Sequence, residues 1–363
     1  MKIEELKKMA ANFPVLGDFT DAAPYGSGHI NDTYAVIYSQ SGKPVRYILQ
    51  RINKNVFKNP VLVQSNIELV TSHLTAKLKD HPDASRRTLT LIPTADGQSF
   101  HLDSEGEYWR MYLFIEECTT YDQIESSDQA YQAARAFGHF VSLLSDLPKR
   151  LEVTIPDFHN TPARFQVLQN AIQEDIVNRA VDVKEEIDYA RAQEPMVGRL
   201  INLTEQGLIP ERVTHNDTKL NNVMLDNLTG KGICVIDLDT CMPGLSLYDF
   251  GDMVRTAARP TAEDEQDLSK VVVDIGMFEA LARGYIETLG GVMTDDERAQ
   301  LAFSAQLITF ETGIRFLTDY LQGDIYFKTH REGQNIDRCR TQFKMAREFE
   351  KNMERMTEYV DSL

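Results

Sequence analysis

The hydrophobic period of this chain changes near residue 116, and that change limits the folds open to it more than any other feature. Ahead of it, short alternating runs are divided by turn signals. Tyr34–Tyr38 and Val45–Ile52 flank Ser41-Gly-Lys-Pro44 and predict a hairpin. Asn59-Pro60 is a capping residue followed by proline at the first helical position, and the helix it opens carries Val63, Ile67, Val70, Leu74 and Leu78 on one side. Further strands are expected around Thr88–Pro93, Ser99–Asp103 and Tyr108–Glu116. A leading amphipathic helix places Ile3, Leu6, Met9 and Phe13 on one face. Beyond residue 116 the spacing turns helical, near 127–147, 162–179, 183–206, 266–289, 295–321 and 337–361. A β-rich insert at 212–239 interrupts it, with strands near Arg212–Thr214, Val223–Asp226 and Ile233–Asp239. The expected architecture is α+β and two-lobed: a β-rich N-terminal lobe, 1–116, and a larger, mostly helical lobe, 117–363.

Composition narrows the function. The chain has 363 residues, with 55 acidic and 38 basic ones, for a net charge of −17. That charge repels nucleic acid and anionic lipid, so neither is an expected partner. No apolar run approaches the ~20 residues of a membrane span, and the first ten residues carry acids rather than a signal-like apolar block. Cys118, Cys234, Cys241 and Cys339 form no C-x-x-C and are expected as reduced thiols. The Asn-x-Thr triplets at Asn31, Asn202, Asn216 and Asn227 read as chance. A cytoplasmic monomer is expected.

The densest polar cluster is Thr214-His-Asn-Asp-Thr-Lys-Leu-Asn-Asn222, and twenty residues after Asp217 comes Asp237, in Cys234-Val-Ile-Asp-Leu-Asp239. Each aspartate ends an apolar strand, where the backbone is rigid and the side chain leaves the core. Phosphoryl transfer needs such an inventory: a carboxylate for the proton of an attacking hydroxyl, hard oxygen ligands for Mg²⁺, and a cation for the transferring group. Asp217 is the candidate base, Lys219 the cation at the γ-phosphate, and Asn222 and Asp237 the metal ligands. His215 is expected to brace the loop. The alternative of a strand-turn-strand whose polar residues only satisfy turns leaves this convergence unexplained. A second alternative, Asp237-Leu-Asp239-Thr240 as a phosphatase nucleophile motif, expects its aspartate near the start of a domain, whereas 236 residues precede it here. Asp249-Phe-Gly251 lies 32 positions past Asp217, too far for a metal triplet, and Asp249 is expected to cap the catalytic loop.

At the nucleotide end, Gly26-Ser27-Gly28 is a candidate phosphate loop with donating backbone N–H groups. The position where such kinases carry a lysine holds Gln50, with Arg51 beside it on the opposite strand face. Glu68 is the candidate helix partner, and Glu116 lies in the connector expected to bond the nucleotide base through its backbone.

The chain resembles the aminoglycoside phosphotransferase/choline kinase superfamily, of protein-kinase-like fold, and within it the N-acetylhexosamine 1-kinases. Four stretches carry the resemblance: Pro24-Tyr-Gly-Ser-Gly-His-Ile-Asn31, Thr214–Asn222, Ile236-Asp-Leu-Asp-Thr-Cys-Met-Pro-Gly244 and Arg315-Phe-Leu-Thr-Asp-Tyr-Leu-Gln-Gly-Asp-Ile-Tyr-Phe327. It implies an ATP- and Mg²⁺-dependent kinase acting on the anomeric hydroxyl of N-acetylglucosamine or N-acetylgalactosamine. It also implies sugar contacts by Asp217, His29, Arg315 and Tyr326. From the residues alone, Arg315 could equally pair with Glu311, four positions back, and Tyr326 could be core. Other small-molecule kinases of the same fold, for choline, homoserine, methylthioribose or another sugar, and a nucleotide-binding pseudokinase suggested by Gln50, are the remaining alternatives.

Overall fold

In the computed structural model, which describes residues 1–363 except Ser27 and His29, the alternating first third forms an antiparallel sheet. Its strands are β1 (Asp18–Pro24), β2 (Asp32–Gln40), β3 (Lys43–Ile52), β4 (Leu91–Ile92), β5 (His101–Leu102) and β6 (Tyr108–Leu113). They run in the order β1-β2-β3-β6-β4, with β5 also on β6. Helix α1 (Ile3–Ala10) covers one face, burying Tyr34, Val36, Tyr38, Tyr47, Leu49, Trp109 and Met111 with Leu6 and Phe13. Strand alternation turns Thr33, Gln50 and Arg110 to the other face, where the register sets them in one row across β2, β3 and β6. Helix α2 (Pro60–Leu78) opens as expected, with the Asn59 side chain accepting from the N–H of Leu62. Its Val63, Ile67, Val70 and Leu74 join the main core of the second lobe.

The rest of the chain comprises β7 (Cys118–Thr119), α3 (Ser127–Leu143), α4 (Thr161–Glu174), α5 (Lys184–Ala192), α6 (Glu194–Val197), α7 (Arg199–Glu205), β8 (Arg212–Thr214), β9 (Val223–Asp226), β10 (Gly232–Val235) and β11 (Met242–Gly244). It ends in α8 (Ser246–Ala257), α9 (Ile275–Leu289), α10 (Asp295–Ala299), α11 (Leu301–Leu321) and α12 (Gln334–Ser362). Strands β7, β9 and β10 form one small sheet and β8 with β11 another. Helices α3, α8, α9 and α11 enclose the main core, and α4, α5, α11 and α12 enclose a second one around Phe310 and Phe343. This is the expected α+β architecture, a sheet lobe ahead of a helical lobe.

Three differences have local causes. Strand β1 was not anticipated because it is an edge strand with mostly exposed side chains, and its register slips between Phe19 and Asp21. The helix expected over 183–206 is cut into three, with Pro195 in the first turn of α6 and Gly198 ahead of α7. The helix expected from 266 begins only at Ile275, where Asp274 caps it by accepting from the N–H of Met277. All four cysteines are free and three of them are buried. No helix among the described residues is long and apolar enough to cross a membrane.

Candidate active site

The loop between β8 and β9 is held by its own sequence. His215 and Asn216 donate their backbone N–H groups to the two Asp249 oxygens at 2.9 and 2.7 Å, and the Thr218 hydroxyl donates to the Asp249 carbonyl at 2.6 Å. Asp249, on α8, is thus the anchor of this loop. Burial pushes its carboxyl up to about 6, against the pull of the two N–H donors. Asn216 takes the left-handed conformation, φ 65°, and its amide nitrogen donates to the Thr240 carbonyl at 2.9 Å. His215 donates from Nε2 to the Ile236 carbonyl (2.8 Å) while its Nδ1 accepts from the N–H of Asp217 (3.3 Å), an arrangement that needs the neutral imidazole. The histidine ties the two aspartate-bearing segments together and presents no free nitrogen.

On this scaffold Asp217 emerges half-buried. Its Oδ1 lies 2.9 Å from Lys219 Nζ, and the Asn222 amide nitrogen donates to its carbonyl (2.8 Å) and to Oδ2 (3.3 Å). That commits the Asn222 nitrogen and leaves its oxygen as the atom for a cation. The charge of Asp217 holds the Lys219 ammonium above its ordinary value. Asp237 follows β10 with a left-handed backbone, φ 59°. Solvent reaches its side chain, yet the walls of the cleft surround it. This enclosure, and then the charges of Asp239 and Asp217, push its carboxyl up to about 7, with Arg110 and Lys219 pulling the other way. The structure therefore brings Asp217, Lys219, Asn222 and Asp237 into one neighbourhood. A carboxylate crowded by two others gains most from a divalent cation. Among the described residues no trio of His, Cys, Asp and Glu could hold a metal alone. The fit is to an ion such as Mg²⁺, held by one carboxylate, an amide oxygen and the phosphates of a nucleotide.

The nucleotide side departs from expectation. Gln50 does not stand in for a lysine: its Oε1 accepts from Arg110 Nε and Nη2 at 3.0 and 2.9 Å, and its Nε2 donates to Thr33. Arg110 is fully buried, and its Nη1 meets Asp239 Oδ1 at 2.5 Å. Asp239 Oδ2 accepts from Asn31, whose own Oδ1 takes the N–H of Asn53 at 2.9 Å. A buried chain of polar groups thus runs Thr33–Gln50–Arg110–Asp239–Asn31, joining β2, β3, β6, the Asp237 loop and the residue that follows the glycine turn. Sequence reasoning missed Arg110, Asp239 and Asn31; the one available signal was that Arg110 interrupts an otherwise apolar strand.

Three other residues lie away from this chain. Arg51 pairs with Asp32 on the α1 side of the sheet. Glu68 is exposed and pairs with neither Gln50 nor Arg51, because the α2 position that faces inward is Asn66, bonded to the carbonyls of Glu152 and Cys241 at 2.8 and 3.0 Å. The Glu116 side chain is exposed against Arg46, and its carbonyl accepts from Arg86 at 3.1 Å. Gly26 has φ 81°, which favours glycine, whereas a side chain at Gly28 would meet open space. Ser27 and His29 lie outside the described residues.

Beyond the loop, Glu311 on α11 pairs with His159 and with the Thr161 hydroxyl at 2.8 and 2.6 Å. It does not pair with Arg315, whose guanidinium instead sits 5.6 Å from the ring centres of Phe158 and Phe327. His159 passes the link on from Nε2 to the Asn216 carbonyl at 3.1 Å. Arg164 on α4 lies close enough to feel Arg315 and Tyr326; burial and then the Arg315 charge hold it below its ordinary value. Tyr326 is 68 % exposed rather than core. Its loop is pinned by Asp319, which accepts from the N–H groups of Ile325, Tyr326 and Phe327.

Known proteins share this fold. The chain is similar in fold to a microcompartment-associated aminopropanol kinase (TM-score 0.60, 16% identity, 98% of each chain covered). It is also similar to an aminoglycoside phosphotransferase from Alicyclobacillus acidocaldarius (TM-score 0.62, 10% identity, 98% of this chain and 96% of that one). A third likeness is to a choline kinase from Cryptosporidium parvum (TM-score 0.56, 14% identity, 99% and 98%). Residues 21–272, well over half the chain and including both Asp217 and Asp237, match the APH phosphotransferase enzyme family, and the chain belongs to that family.

Proposed function

We propose that this protein is an ATP- and Mg²⁺-dependent kinase that phosphorylates the anomeric C1 hydroxyl of an N-acetylhexosamine, N-acetylglucosamine or N-acetylgalactosamine. The observation that carries the kinase reading is the convergence of Asp217, Lys219, Asn222 and Asp237, with Arg164, Arg315 and Tyr326 grouped on the side that Glu311 and His159 link to the Asp217 loop. Asp217 orients the acceptor hydroxyl and takes its proton as the oxygen attacks the γ-phosphorus. Lys219 offsets charge on the transferring group. Asp237 and the Asn222 oxygen would hold Mg²⁺, which would supply charge neutralisation of the triphosphate.

The acceptor is argued from charge. Among the described residues neither Arg164 nor Arg315 forms an ion pair, and both offer donors to hydroxyl and amide oxygens. They would repel the ammonium of a choline-like or amino-alcohol acceptor, and the buried acid Glu311 is committed to His159 and Thr161. The resemblance of Arg315–Phe327 to the N-acetylhexosamine kinases supports the same choice. The test is ³¹P NMR of the product from N-acetylglucosamine and ATP. A phosphate coupled to the anomeric proton is expected; a 6-phosphate, or turnover only with choline or an amino alcohol, overturns the acceptor assignment.

A further inference from the structure

A cavity of about 280 Å³ lies between the C-terminal half of α2, helices α3 and α9, and strand β10, and none of its lining residues belongs to the site described above. Its floor is apolar, from Leu78, Phe140, Leu143 and Ile233. Its polar lining includes Arg87, Arg135, His139 and Lys231, and no aspartate or glutamate. On a chain with 55 acidic and 38 basic residues, a concave surface with three cations and no acid is unusual in charge as well as in shape.

The positive groups are only partly neutralised by their surroundings. Arg135 reaches Glu287 through one terminal nitrogen at 3.1 Å, but its Nε is buried with no partner. Arg87 spends its Nε on His81 at 2.9 Å and lies 3.9 Å from Asp83, a distant contact. His139 makes no hydrogen bond among the described residues. Partial enclosure, and then the charges of Arg87, Arg135 and His81, hold its imidazole below its ordinary value, the response expected of a ring in a positive field. A neutral imidazole still offers one N–H. The donors outnumber what a carboxylate accepts and suit a group with three oxygens.

We propose that this cavity is a second binding site, for a small phosphate monoester whose anionic head is taken by Arg87, Arg135, Lys231 and His139 and whose body rests on the apolar floor. The site is independent of which acceptor the cleft takes. Its wall includes β10, the strand that runs on to Asp237, so an occupant would press on the element that carries the metal carboxylate.

The test is calorimetric titration of the full chain with phenyl phosphate and, separately, inorganic phosphate, each with and without saturating ADP and Mg²⁺. Phenyl phosphate is expected to bind with the cleft filled, and about tenfold tighter than inorganic phosphate. Arg87→Ala/Arg135→Ala is expected to weaken it by about tenfold or more, the loss of one or two charge-assisted hydrogen bonds. Lys231→Glu, at an exposed position, is expected to weaken it in the same direction and guards against misfolding of the double variant. Equal affinity for the two probes would overturn the organic-phosphate assignment. Displacement by ADP, unchanged affinity in both variants, or no binding of either probe would overturn the site.

Discussion

At the scale of the residue, two side chains of the cleft make distinct demands. Asp217 is held by Asn222 and Lys219 and carries the proposed base role, so Asp217→Asn keeps the shape and removes the proposed proton acceptor. Turnover is expected to fall by ~10²–10⁴-fold, with nucleotide affinity changed little; a titration with ADP alongside steady-state rates separates the two, and near-normal turnover would remove Asp217 from the role. Arg110 is a positioning residue. Its guanidinium is buried between Gln50 and Asp239, and Arg110→Met leaves Asp239 as an uncompensated buried charge. Breaking such a pair costs ~3–5 kcal/mol, to be read by chemical denaturation. The double variant Arg110→Met/Asp239→Asn is expected to recover part of that loss, since the stranded charge is gone. An Arg110→Met loss below about 1 kcal/mol, smaller than one hydrogen bond to a charge, would show that the pair is not what holds the Asp237 loop.

At the scale of the element, the helix least visible in the sequence does much of the positioning. Helix α8 carries Asp249 and Asp252, and the latter accepts from the N–H of Thr218 at 3.0 Å. It also packs through Gly251 directly on α11, where a Cβ would meet the Ser304 carbonyl at 2.5 Å and Ile308 Cγ1 at 2.8 Å. Gly251→Ala gains up to ~1 kcal/mol of helix propensity and loses ~1–3 kcal/mol to overpacking. The net expectation is a lower unfolding midpoint together with a lower turnover, because the displaced helix carries the loop anchor; an unchanged midpoint would mean that α8 and α11 separate freely. The helix was hidden because two aspartates and a glycine within it weaken local propensity, and its buried acids face the loop rather than water. By contrast the Asp217 loop and the strand before Asp237 were legible, since one stretch of sequence holds both the apolar alternation and the polar residues at its end. Arg110 was not. Its partner depends on which strands lie beside β3, and only the register of β6 places it opposite Gln50. Glu68 was misjudged by the rotation of α2, which turns Asn66 inward instead. The proposed acceptor wall is assembled from α4, α11 and the loop pinned by Asp319, which are distant in the chain, so no local pattern announced it.

At the scale of the whole molecule, the proposed acceptor wall and the Asp217 loop are joined by one buried ion pair. Both nitrogens of His159 face acceptors, Glu311 Oε1 at 2.8 Å and the Asn216 carbonyl at 3.1 Å, and only the imidazolium can donate to both. Burial alone would lower the His159 value, but the charge and hydrogen bond of Glu311 outweigh it and raise it above the ordinary 6.5. Glu311 is held below its ordinary 4.5, the pull of His159, Thr161 and Arg315 exceeding the cost of burial. The signs then follow by linkage. The raised histidine contributes stability that is complete below pH 6.5 and fades as pH rises through its folded-state value. The lowered glutamate contributes stability that is present above pH 4.5 and fades as pH falls through its own. Both contributions are whole only between these limits. The variant His159→Gln keeps a donor toward the loop and removes the titration. The difference in unfolding midpoint between wild type and this variant is expected to be largest between pH 4.5 and 6.5 and to narrow as pH rises further. A difference that stays flat or widens with rising pH would mean that His159 is neutral in the folded protein, and that the link between the proposed acceptor wall and the Asp217 loop is a hydrogen bond without a charge.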